Sequence, residues 1–260
     1  MLLKIITTIL LISTYFPPQA QAGMESAYRN PNIPYEFYEK RAYRYLNRNS
    51  GPNNKFVIKN TPLNKAKKFT EVDLPDITRW KSTLLQTRFE KLRDTRFISI
   101  NGEERRPSWI YPDDGCYARA AMVSRNVFRW FYPQTKKVFA FGSLRVKTPN
   151  SPRGKVSWWY HVAPIVQVED KKYVLDPAIE PSRPLELSEW ISRMGRPEKI
   201  KVSICASGTY SPGDHCEKKT DGLELRAEKA QKAYLLKEEA RIRKLGRQVE
   251  AELGDAPPWL

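Results

Sequence analysis

Two runs of β-branched and aromatic residues, Val138 to Val146 and Val156 to Val168, constrain this chain more than any other feature. Residues of that kind fit a pleated, half-buried surface, so each run reads as a strand. In the second run Trp159, His161, Ala163 and Ile165 share one face, with Tyr160, Val162, Val166 and Val168 on the other. The polar stretch Glu169 to Lys172 turns the chain, and Tyr173-Val174-Leu175 returns it. Ile200, Val202 and Ile204 alternate in a last strand. Helical spacing dominates before these strands, and helices first with strands later is the order of an α+β fold.

The helical stretches have legible ends. Pro34 suits the first turn of a helix that carries Tyr35, Tyr38, Ala42, Tyr45 and Leu46 on one face, and residues 49–54 form a loop. Asp76 is placed to cap a helix running to Asp94, with Ile77, Trp80, Leu84, Leu85, Phe89 and Leu92 as its apolar face. Phe97 to Ile100 reads as a short strand. A further helix opens at Asp113-Asp114-Gly115-Cys116 and runs to about Trp130. Cys116, Ala120, Val123 and Val127 repeat at helical spacing there, so the thiol lies in the first turn and faces inward. Ser188 and Gly195 bracket a short helix around Trp190 and Ile191. From Leu223 to Leu253 the composition is that of a long solvated helix, with eight basic and five acidic residues between Arg226 and Glu252. Leu235, Ile242 and Val249 recur every seven residues there, but Glu238 and Glu252 break the alternate positions.

Charge and cysteine usage narrow the class. The 260 residues carry 45 Lys and Arg against 29 Asp and Glu, a net +16. Seven Trp, 13 Tyr and 10 Phe supply enough bulk for a packed core, which argues against disorder. No long apolar run follows the N-terminus, so the chain is not read as transmembrane. Two histidines and three cysteines are too few for a zinc or iron–sulfur cluster, and no metal is expected. Residues 1–22 combine Lys4, an apolar stretch from Ile5 to Phe16 and Ala20-Gln21-Ala22, the pattern of a secretory signal peptide. Export to the periplasm or beyond is the expectation. In an oxidising compartment two of the three cysteines should pair. Cys205 and Cys216 bracket a turn-rich loop and are the expected disulfide, leaving Cys116 free. The domain reading is then 1–22 signal peptide, 23–72 N-terminal segment, 73–220 core, and 221–260 basic C-terminal helical extension. Residues 23–72 are open between a pro-segment, a docking arm and the start of the domain.

A thiol at a helix start is favoured as thiolate by unpaired N–H groups and the helix dipole. His161 lies on a strand, and Asp176 ends the strand that returns beside it. A hairpin turning through two or four residues near Asp170 puts Asp176 on the face of His161. A carboxylate there accepts from one ring nitrogen and leaves the other to the thiol, the logic of nucleophile, base and orienter. The local words are more specific. Tyr111-Pro112-Asp113-Asp114-Gly115-Cys116-Tyr117-Ala118-Arg119-Ala120, then Trp159-Tyr160-His161-Val162-Ala163 and Val174-Leu175-Asp176-Pro177, closely resemble the bacterial protein-glutamine glutaminase family.

That resemblance, over roughly residues 75–205, implies a papain- or transglutaminase-like core in which the catalytic helix packs on an antiparallel sheet. It implies hydrolysis of glutamine side-chain amides in proteins or peptides through a thioester, with Cys116 as nucleophile, His161 as base and Asp176 as orienter. No cofactor is needed. It also implies an N-terminal pro-segment over the site, a role open to residues 23–72. A transglutaminase or cysteine peptidase on the same scaffold stays open. So does a non-catalytic basic envelope protein whose C-terminal helix meets an anionic partner, although no nucleic-acid motif is visible.

Overall fold

The computed structural model describes residues 24–49, 58–255, 257 and 259. The apolar leader with its cleavage point lies outside these residues, as does most of the 49–54 loop. The chain runs α1 (Tyr35–Asn49), α2 (Pro62–Lys65), β1 (Lys67–Lys68), α3 (Ser82–Asp94), β2 (Ile98–Ile100), β3 (Glu103–Arg105) and α4 (Cys116–Arg129). It continues through β4 (Lys136–Lys147), β5 (Lys155–Val168), β6 (Lys171–Val174), β7 (Leu185–Glu186), α5 (Leu187–Met194), β8 (Lys201–Cys205), α6 (Leu223–Lys244) and α7 (Val249–Leu253). Helices and an antiparallel sheet thus make an α+β fold.

Six strands form one sheet in the order β1-β8-β4-β5-β6-β7, every pair antiparallel. The two aromatic runs are its central hairpin, β4 against β5. A bulge at Gly142–Ser143 interrupts the ladder between Phe141↔Tyr160 and Leu144↔Trp158, which adds local twist. After Val168↔Lys171 the chain turns through Glu169 and Asp170 alone, Glu169 at φ 53°, as a two-residue hairpin loop requires. Val156 to Val168 is buried at every position, because both faces of the strand are covered. The side chains of Phe139, Phe141, Val138, Val166 and Ile165 are fully shielded. Burying each contributes about 1.5–3 kcal/mol of transfer free energy.

The helix expected from Asp76 to Asp94 starts later, at Ser82. Residues 78–80 are extended instead: Trp80 N–H donates to Gln167 O (2.8 Å), and Gln167 N–H to Thr78 O (2.9 Å). The end of β5 has backbone groups to satisfy beyond the start of β4, and this segment satisfies them. Asp76 is no cap; its carboxylate accepts from Gln167 Nε2 (3.2 Å). Trp80 still reaches the core, and its indole donates to Pro133 O.

The C-terminal helix α6 is packed rather than solvated. Leu223, Ala227, Gln231, Tyr234, Leu235, Glu238 and Ile242 are buried along it. Among the described residues, no helix is long and apolar enough to cross a membrane.

Candidate active site

Gly115, at φ 84°, sits at the mouth of α4, so the helix opens on Cys116. The left-handed backbone suits glycine, and space demands it too: a Cβ there would come within 2.7 Å of the Tyr234 ring. Asp114 accepts from its neighbour's N–H, Gly115 N (2.8 Å), and from Ser26 Oγ (2.6 Å) and Ala27 N (2.8 Å). Burial raises the Asp114 carboxyl against those bonds.

His161 comes from the middle of β5 and Asp176 from the residues after β6. Their side chains meet, Nε2 to Oδ2, at 2.7 Å. The two-residue turn is what sets this register, and Leu175 N–H to Pro164 O (2.9 Å) carries it past the end of β6. Asp176 Oδ2 also accepts from the indole of Trp190 on α5 (2.9 Å). Burial acts to raise the Asp176 carboxyl, but the charge of His161, the bonds from His161 and Trp190, and the charge of Arg119 outweigh it and hold it below its ordinary value.

The imidazole lies between two indoles. Trp158 stacks on it at 4.3 Å between centroids with planes 10° apart, and Trp190 tilts against it at 5.6 Å. Trp158 in turn donates to Pro112 O (2.9 Å), tying the strand to the loop before the nucleophile. With Nε2 committed to Asp176, Nδ1 is buried and has no hydrogen-bond partner among the described residues. It is the nitrogen free to exchange a proton.

Cys116 meets this strand at Val162, whose backbone N–H reaches the sulfur. The thiol is 2% exposed, and burial pushes it up to about 12, helped by Asp114 and Asp176. Arg119 and the Val162 N–H pull the other way. The structure therefore joins His161 and Asp176 directly, and Cys116 meets the same strand one residue on, at Val162. The thiol is covered in this state.

The N-terminal segment packs along the same strand. Trp159 N–H donates to Ala27 O (3.0 Å) and Arg29 N–H to Ser157 O (2.9 Å), so residues 27–29 lie as a short strand along β5. The Trp159 indole donates to Ser26 O (2.7 Å), and the Tyr160 hydroxyl donates to Glu25 O. Cys205 and Cys216 are joined in a disulfide with Cα atoms 4.6 Å apart, and Cys116 is the free cysteine. The closed loop carries Tyr210, which packs edge-on against Tyr117 at 5.2 Å.

Sequence reasoning missed Trp190, Arg119 and the polar residues of α6. Their only signal was a charge in an apolar register, Glu238 between Leu235 and Ile242. No group of three or more His, Cys, Asp or Glu side chains that could hold a metal ion occurs among the described residues.

Comparison with known proteins gives a consistent result. Residues 85–194 match a family profile described as "Glutaminase". A crystal structure of pro-protein-glutaminase is 19% identical, over 82% of this chain and 85% of that one, with a TM-score of 0.54. A mutant of a pro-protein-glutaminase is 20% identical over 77% and 80%, with a TM-score of 0.51. These two likenesses establish a shared fold. The NMR structure of protein-glutaminase from Chryseobacterium proteolyticum is 22% identical over 60% and 84%, at a TM-score of 0.46. No curated protein matches by sequence.

Proposed function

We propose that this chain, whose residues 85–194 match a glutaminase profile, is an exported thiol amidohydrolase that deamidates glutamine side chains in proteins. The observation that carries the reading is the buried His161–Asp176 pair with its unpartnered Nδ1, on the strand whose next residue, Val162, turns its N–H to the Cys116 sulfur.

In the proposed reaction the Cys116 sulfur attacks the carboxamide carbon and the thiol proton passes to His161 Nδ1. That proton leaves with ammonia as the carbon–nitrogen bond breaks, and a thioester remains. Water then gives a proton to Nδ1 and attacks the thioester. The proton returns to sulfur as the carbon–sulfur bond breaks, and a glutamate side chain is released. Asp176 keeps the ring oriented and stabilises its charged form. The Cys116 backbone N–H, at the helix start, is the proposed donor to the oxyanion. Nothing in this sequence of steps requires a metal or organic cofactor.

Residues 23–72 are proposed as a segment that holds the site closed. Ser26 and Ala27 on Asp114, and residues 27–29 on β5, support this, as does a thiol too buried to ionise near neutral pH.

The test is ammonia release from a glutamine-rich protein by the chain without its leader. It should be compared with Cys116→Ala and with a form whose N-terminal segment has been severed by limited proteolysis. Release that rises on severing and vanishes in Cys116→Ala is expected. Release that persists in Cys116→Ala would overturn the nucleophile.

A further inference from the structure

The loop before the nucleophile is gripped from two sides by buried polar groups, and one side is α6. Gln231, fully buried, accepts from Ser108 N (3.0 Å) and Ser108 Oγ (3.3 Å) through Oε1. Glu238, 1% exposed, accepts from Ile110 N at 2.6 Å. Arg241 forks onto the Asp113 carboxylate at 2.5 and 3.2 Å. Tyr234 lies on Gly115, stacks on Tyr111 at 5.7 Å and shares a hydrogen bond with the Tyr117 hydroxyl (3.0 Å). These residues fall at 231, 234, 238 and 241, one face of a helix. Each grips the stretch from Ser108 to Tyr117.

The carbonyls of the same loop point the other way. Arg119, on α4 one turn beyond Cys116 and 2% exposed, spends Nη1 on Ser108 O (3.2 Å), Tyr111 O (3.1 Å) and Asp114 O (2.9 Å). Its hydrogen bonds there go to carbonyl dipoles, with Nη2 buried and unpartnered among the described residues. A buried guanidinium held only by a loop keeps its place only while the loop keeps its shape. The loop has no regular ladder of its own, and its N–H groups at Ser108 and Ile110 end on α6 side chains. A solvated helix would have no use for a buried carboxylate at 238, since burying one unpaired is costly.

We infer that Glu238 is a positioning residue for the nucleophile: together with Gln231 it fixes the 108–114 loop that holds the Arg119 guanidinium beside Cys116. This rests on the assignment of Cys116 made above. The positive charge is then available to the sulfur as it loses its proton, and the cation needs no rearrangement during the reaction. It also explains a helix outside the matched segment, residues 85–194, that is nonetheless packed onto the core of the site.

The test uses the full chain and two readouts. Cys116 is the one cysteine outside the disulfide, so its S–H stretch is a single infrared band that senses the sulfur's surroundings whether or not substrate can enter. Glu238→Ala removes the acceptor for Ile110 N–H, Glu238→Gln keeps an acceptor without the charge, and Arg119→Gln removes the cation. The band should shift in Arg119→Gln and Glu238→Ala and stay near the wild-type position in Glu238→Gln. In the activated enzyme, kcat should fall about tenfold in Glu238→Ala with KM within about twofold, and Glu238→Gln should restore most of it. Should Glu238→Ala fail to fold, Gln231→Met removes the other clasp and should shift the band in the same direction. A folded Glu238→Ala with the wild-type band and wild-type kcat would overturn the proposal, as would a kcat loss shared equally by Glu238→Gln. If the activated wild-type enzyme releases no ammonia, the deamidase reading fails by itself, and the infrared band still decides whether Glu238 places the thiol.

Discussion

At the scale of single residues, the site is built by controlling where protons sit. Asp176 has a side chain 5% exposed, and a carboxylate that buried tends to hold its proton. Two donors to one oxygen, His161 Nε2 and Trp190 Nε1, keep it charged instead. Trp190→Phe removes one of them and keeps an aromatic ring against His161. The Asp176 carboxyl should then rise, moving the acid limb of the kcat/KM profile to higher pH. A pH–rate series on the variant and wild type checks this, and kcat is expected to drop by about tenfold. The placement of Cys116 at a helix start and of His161 beside Asp176 was legible in the chain because the cues are local: a glycine turn, a strand parity and a two-residue hairpin. Trp190 was not, because its spacing marks only a core position on a short helix. No local pattern tells where an indole N–H will find its acceptor.

At the scale of elements, backbone groups decided what periodicity left open. Ile77 and Trp80 fit a helical face, yet they fold as extended chain because the end of β5 lacked partners. The short strand read at Phe97 to Ile100 is β2, but its partner β3 escaped notice for a plainer reason: Glu103-Glu104-Arg105 has no apolar alternation to read. The disulfide pair was legible from the turn-rich loop between its cysteines. Its sequence separation is 11 residues. Replacing both Cys205 and Cys216 by serine should cost about 3 kcal/mol of stability, measured by urea unfolding. Tyr210 rides on that loop against Tyr117, so the same variant should also loosen the surroundings of Cys116, seen as faster hydrogen exchange in the first turn of α4.

At the scale of the whole molecule, segments from either side of the matched region pack against the site. The N-terminal segment reaches Asp114 and β5, and α6 reaches the loop before Cys116, so residues far apart in sequence share one site. Such long-range docking leaves little trace in composition, and a basic helix reads as solvated until its buried face is seen. Stability should carry the mark of another buried charge site. Lys137, opposite Cys205 in the sheet, donates to Thr209 O at 2.6 Å, and burial lowers its amine to about 7. Between about 7 and the ordinary 10.5 the unfolded chain holds a proton that the folded chain does not, so this group makes stability rise with pH across that window. Denaturant titrations of wild type and Lys137→Met should therefore diverge, with wild type gaining on the variant as pH rises from 7 towards 10. Parallel curves would contradict a buried amine at that position.

The central claim is the chemistry at Cys116, and the intact mass of a glutamine-rich protein after incubation with the activated chain tests it most directly. The account predicts an unbroken substrate whose mass rises by the difference between NH2 and OH at each modified glutamine, with Cys116→Ala leaving it unchanged. A substrate cut in its backbone, or one that gains an added primary amine in preference to water, would contradict it.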